Sequence, residues 1–116
     1  MVEMTMQVPD GLAQRLRQMS PWLPAVLELS LVGFKTPAAQ TVAEIIAFLS
    51  SGPSADKVTE YAVSLRAQER LRRLLALNQS GLLSQDEHAE LDEIEQIEHI
   101  LVLLKAQARE RVMGKN

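Results

Sequence analysis

The sequence predicts a mainly α protein. A short N-terminal β-strand is followed by about five helices, and the last two form a long antiparallel hairpin. Three observations carry this reading. Apolar residues beyond residue 10 recur at three- and four-residue spacing, the period of a helix face. Start signals of the kind Ser-Pro, Thr-Pro and Ser-x-x-Glu precede those stretches. Only at the start do apolar and polar residues alternate: Val2, Met4, Met6 and Val8 against Glu3, Thr5 and Gln7.

A lone strand has backbone N–H and C=O groups with no partner in its own chain. Pairing with the same strand of a second copy would satisfy them. The sequence therefore predicts a homodimer with Val2, Met4, Met6 and Val8 as the dimer strand. Val8-Pro9-Asp10 ends the strand, and Pro9 suits a helix start, where its missing N–H costs nothing. Leu12, Leu16 and Met19 mark the first helical face.

Ser20-Pro21 restarts the pattern, with Ser20 as cap, and Leu23, Val26, Leu27 and Leu31 follow. Gly33 supplies a stop. After Thr36-Pro37, Val42, Ile45, Ile46 and Leu49 form an amphipathic stripe that ends at Ser51-Gly52-Pro53. Ser54 caps a shorter piece carrying Val58 and Tyr61. The phase then slips. Leu71, Leu74 and Leu75 project back to Ala67 and Gln68 rather than to Leu65. A break at Val63-Ser64, with Ser64 capping a new helix, explains this; one continuous helix with a wide apolar face is the rival.

Asn78 to Gly81 stops that helix. Ser84-Gln85-Asp86-Glu87 matches a capping box. Leu91, Ile94, Ile97, Leu101, Leu104 and Ala108 then define a last helix of roughly 40 Å. Arg66, Arg70, Arg72 and Arg73 precede the loop, and Asp86, Glu87, Glu90, Asp92, Glu93, Glu95 and Glu98 follow it. An antiparallel fold sets the basic stretch beside the acidic one. The whole reads as one domain, 1–116: a strand and two helices over 1–33 as the dimerisation unit, middle helices over 36–63, and the hairpin over 64–112.

Composition bounds function. The chain has 116 residues, 47% of them hydrophobic, enough for a core without disulfides or metal. The absence of cysteine suits a reducing cytoplasm, the expected location. No apolar run approaches the roughly 18 residues of a membrane span, and the start lacks a signal-peptide pattern. A net charge of −3 and 3% aromatics disfavour a global nucleic-acid field and base-stacking platforms.

Candidate chemistry is thin. Glu95 and His99 lie four apart, on one helix face, but a di-iron Glu-x-x-His pattern would need Glu where Gln96 stands, and there is no second copy. Ser80, Ser84 and His88 are near in sequence, yet Ser84 is already accounted for as a cap and no orienting acid is implied. Gly52 and Gly81 are single glycines at helix ends, not a phosphate loop. The expectation is no enzyme, no metal and no cofactor.

Two resemblances add to this. The segment VEMTMQVPDGLAQRLRQM and the following helix, roughly residues 2–33, resemble ribbon–helix–helix proteins. In that family two strands form a ribbon whose outward side chains enter the DNA major groove. The resemblance implies Glu3, Thr5 and Gln7 as DNA-facing residues. Against it, Glu3 and Asp10 offset Arg15 and Arg17, and SPWLP stands where the family has a polar start to its second helix. More of the chain is covered by the second resemblance: VPDGLAQRL, VAEIIAFL followed by SGPS, and ERLRRLLALNQSGLLSQDEHAELDEIEQIEHILVLLKAQAR. This order is similar to a family of small uncharacterised bacterial proteins, frequent in cyanobacteria, that look like antitoxin-like partners. The match is good over 65–109 and loose elsewhere.

It implies a protein partner, toxin-like, rather than a chemistry. The leading expectation is thus a non-enzymatic protein-interaction module acting as a homodimer; the alternative is a ribbon-type DNA-binding regulator. Trp22, the lone tryptophan, lies between Pro21 and Pro24. It is either a partner-binding hot spot or a core residue packing the first two helices.

Overall fold

The computed structural model describes residues 1–33 and 35–114. Its helices are α1 (Asp10–Gln18), α2 (Leu23–Val32), α3 (Ala39–Ser50), α4 (Ala55–Glu60), α5 (Leu65–Gln79) and α6 (Gln85–Met113), with a single 3-10 turn at Ser20–Trp22 before α2. The mainly α class therefore holds.

α6 is the spine. Its 29 residues make a rod of about 44 Å. One side of it carries Ile97, Ile100, Leu104 and Ala108 into the core. There they join Ala25 and Leu29 of α2, Val42, Ile45 and Leu49 of α3, and Ala55 and Val58 of α4, together with Trp22 and Ala38. α2 runs antiparallel to α6. Near its start Gln107 Nε2 donates to the Pro21 carbonyl at 2.9 Å. Past its end Thr36 Oγ1 donates to Glu93 Oε2 at 2.6 Å. The same hydroxyl accepts from the Ala38 N–H at 3.2 Å, turning the chain into α3.

Three serines start helices as their positions predict. Ser54 Oγ accepts from the Lys57 N–H at 3.3 Å, and Ser64 Oγ from the Ala67 N–H at 3.2 Å. At α6 the box is reciprocal: Glu87 N–H to Ser84 Oγ at 3.1 Å and Ser84 N–H to Glu87 Oε1 at 3.0 Å. Each satisfies donors that a helix start leaves without intrahelical acceptors. The cap at Ser64 resolves the phase slip as a break. Residues 61–64 are non-helical, and Gln68 Nε2 reaches back to the Val63 carbonyl at 2.8 Å. Ser20 behaves differently. It makes no side-chain cap bond, because the chain passes through the 3-10 turn first and α2 starts at Leu23 with Pro24 in its first turn.

The expected N-terminal β-strand is not formed. Residues 1–9 belong to no helix or strand. The physical reason is that a strand exists only in a ladder, and the described residues of one chain offer no second strand. Val2, Met4 and Met6 are 88%, 86% and 71% exposed. α1, next along the chain, buries no residue. The N-terminal 18 residues are thus attached to the body mainly where α1 meets α3.

Candidate functional site

The hairpin carries the most developed concavity. α5 leaves its capped start beside α4 and runs back along α6. It buries only Leu74 completely, while Leu65 and Leu75 are 65% and 46% exposed. Between α5, the start of α3 and α6 lies a groove of about 490 Å³. Leu71 and Leu75 from α5 and Ile94, Ile97 and Leu101 from α6 make it apolar, and Val63, Pro37 and Ala38 also line it. Arg66, Arg70 and Arg72 stand on the α5 wall, and Glu90 and Glu98 on the α6 wall.

One of these pairs spans the hairpin. Arg70 Nε donates to Glu90 Oε2 and Arg70 Nη2 to Glu90 Oε1, both at 2.8 Å. The Glu90 hydrogen bond raises the Arg70 pKa above its ordinary value, against the opposing pull of desolvation. Arg66 instead approaches Glu44 of α3, at 4.0 Å. Among the described residues, Arg70–Glu90 is the one close ion pair that realises the charge order read from the sequence.

A shallower, open concavity of about 710 Å³ lies between α2 and α6, lined by Glu28, Leu31, Asp92, Glu95, Gln96 and His99 among others. It brings together Glu95 and His99, the pair that shares a helix face. Among the described residues no three His, Asp or Glu side chains converge as a metal site would require. Phe48 and Tyr61 stack with ring centroids 4.5 Å apart. Burial first, and then Glu44, pushes the Tyr61 phenol up.

Of the two readings of Trp22, the core residue is the one the structure shows, and the partner-binding one is not supported. Trp22 is 2% exposed, its Nε1 donates to the Pro53 carbonyl at 2.9 Å, and the Arg111 guanidinium lies 5.8 Å from the ring centroid. Its indole therefore ties the start of α2 to the α3–α4 turn and the end of α6. Glu3, Thr5 and Gln7 are all exposed, on the unpaired N-terminal segment. The groove was not singled out from the sequence. The available signal was the apolar run of α5, whose Leu71 and Leu75 line the groove without being buried.

The fold and its surface define an all-helical domain with an apolar groove and an exposed apolar arm. Among the described residues no helix is long and apolar enough to cross a membrane. No protein-family model, curated protein or solved structure matches the chain.

Proposed function

We propose that this chain is a non-enzymatic protein-interaction module, antitoxin-like, that works as a homodimer built through its first eight residues. The observation that carries the reading is the arm itself. Val2, Met4 and Met6 stand in water on a segment whose amides have no ladder partner. Association with the same segment of a second copy supplies main-chain hydrogen bonds and covers those side chains against helix faces such as that of Leu12, which is also exposed. The resemblance read from the hairpin sequence implies a protein, rather than a metabolite, as the second ligand. A cysteine-free composition supports a cytoplasmic setting.

Light scattering on the eluted protein tests the assembly. The wild type is expected at twice the chain mass, and Met6→Pro, which removes a ladder donor, at a larger monomer fraction. A wild-type monomer, or a dimer untouched by the proline, overturns the reading. Retention on DNA from its own promoter that weakens steeply with salt would point to the ribbon-type regulator instead.

A further inference from the structure

Resting on the arm-mediated dimer proposed above, we infer that Met4 and Met6 form a reversible oxidation site: a peroxide turns their thioethers into sulfoxides and releases the arm from its second copy. The oxidisable groups of this chain are few. It has no cysteine, so no thiol intercepts an oxidant first. Its single tryptophan is enclosed in the core. Met19, past the end of α1, is partly buried. Met4 and Met6 stand largely in water, on a segment outside every helix.

Position gives the pair its leverage. In an extended segment residues two apart share a face, so Met4 and Met6 are the central members of the face Val2, Met4, Met6 and Val8. The valines at its ends are inert to peroxide. In the step itself a sulfur lone pair attacks one peroxide oxygen. The O–O bond breaks as the S–O bond forms, and the departing hydroxide takes the proton left on the transferred oxygen, giving water. Sulfur is oxidised by two electrons and the peroxide is reduced. The product is a polar side chain in place of a flexible apolar one. On a free arm the new oxygen is hydrated. Between paired arms it would be pressed into an apolar face whose backbone donors are engaged in the ladder, and an acceptor without a donor is costly there. Oxidation therefore favours the separated state by its differential effect on the two. Pairing in turn covers the same sulfurs, so oxidation proceeds through the open arm and slows as the dimer fills.

Peptide mass spectrometry in hydrogen peroxide, at rising chain concentration, follows each methionine, and light scattering gives the mass. Met113 is the internal control, at the end of α6 and 74% exposed against 71% for Met6. Met4 and Met6 are expected to oxidise as fast as Met113 in dilute protein and several-fold more slowly in concentrated protein. Sulfoxides at both positions should raise the dimer dissociation constant about a hundredfold or more. The two methionine sulfoxide reductases, one for each sulfoxide epimer, should restore it. The Met4→Gln, Met6→Gln double variant, polar from the outset, should be monomeric without peroxide, and Met113→Leu should keep the wild-type response. A dimer that survives both sulfoxides or both glutamines, yet yields to Met6→Pro, overturns the inference alone. Dissociation that Met113→Leu prevents, or that the reductases leave unreversed, overturns it as well. A reduced wild type that is monomeric at every concentration, or a dimer that also ignores Met6→Pro, removes the arm-mediated dimer and this inference with it.

Discussion

Arg70 and Glu90 hold the hairpin together by a two-point clasp, each guanidinium nitrogen 2.8 Å from its own carboxylate oxygen. The Glu90 side chain is 3% exposed and that of Arg70 33%. A carboxylate so enclosed loses its water and depends on this one partner. Arg70→Met should therefore cost more than its lost packing, about 2–3 kcal/mol. That lies below the range for a fully buried pair, because the arginine side is partly screened. Glu90→Leu together with Arg70→Met should recover much of the loss, since no buried charge is left behind. Urea denaturation of the wild type, the single variant and the double variant measures this. A double variant no better than the single would show that the clasp matters for geometry rather than for charge.

Gly52 and Gln18 meet where α3 ends beside the end of α1. A Cβ on residue 52 would sit 2.6 Å from the Gln18 carbonyl oxygen, and the backbone there has φ +69°. Both the contact and the left-handed conformation oppose a side chain. Gly52→Ala is expected to destabilise by about 1–3 kcal/mol, whereas Gly11→Ala, with nothing within 4 Å of its Cβ, should be neutral or mildly stabilising. Paired thermal melts of the two variants decide it.

Trp22 reports on the core directly, being the single tryptophan of the chain. Its emission should be that of a buried indole in the folded protein and shift to the red as the protein unfolds. Trp22→Phe keeps most of the apolar volume but leaves the Pro53 carbonyl without its donor. The expected loss is about 1–3 kcal/mol, and Trp22→Ala should cost about 3–5 kcal/mol. A Trp22→Phe loss near zero, measured by circular dichroism in urea, would mean that the indole N–H contributes nothing.

What the sequence made legible, and what it did not, follows the reach of each interaction. Ser54, Ser64 and Ser84 act on N–H groups three residues away, so their caps could be read from local order. The α3 stripe of Val42, Ile45 and Leu49 points one way at a fixed period, and its burial followed. Trp22 was ambiguous because its acceptor, Pro53, lies 31 residues away. Gly52 looked like a generic stop because nothing local announces Gln18. Leu71, Leu74 and Leu75 share a face by periodicity, which alone could not show that Leu74 is buried while Leu75 stays exposed along the groove. The groove needed the start of α3 to meet the α5–α6 hairpin, a convergence no local pattern announces. The arm had the period of a strand, but period specifies which side chains share a face, not whether a ladder partner is present.

The capping box at α6 makes acid stability testable. The Ser84 backbone N–H, then its hydroxyl, hold the Glu87 carboxyl below the usual glutamate range. A carboxyl depressed in the folded state stabilises where the unfolded chain is already ionised, and that contribution disappears as pH falls through the folded value. Glu87→Gln should thus be less stable than the wild type at neutral pH, with the two melting curves converging in acid. Ser84→Ala removes the hydroxyl cap, at about 1 kcal/mol, but keeps the backbone N–H that is the larger cause of the shift. It should therefore lower stability at all pH values while retaining most of the wild-type acid slope. Melting temperatures from neutral pH down through the acid range distinguish the two. Parallel curves for wild type and Glu87→Gln would show that the carboxylate charge does no stabilising work at this helix start.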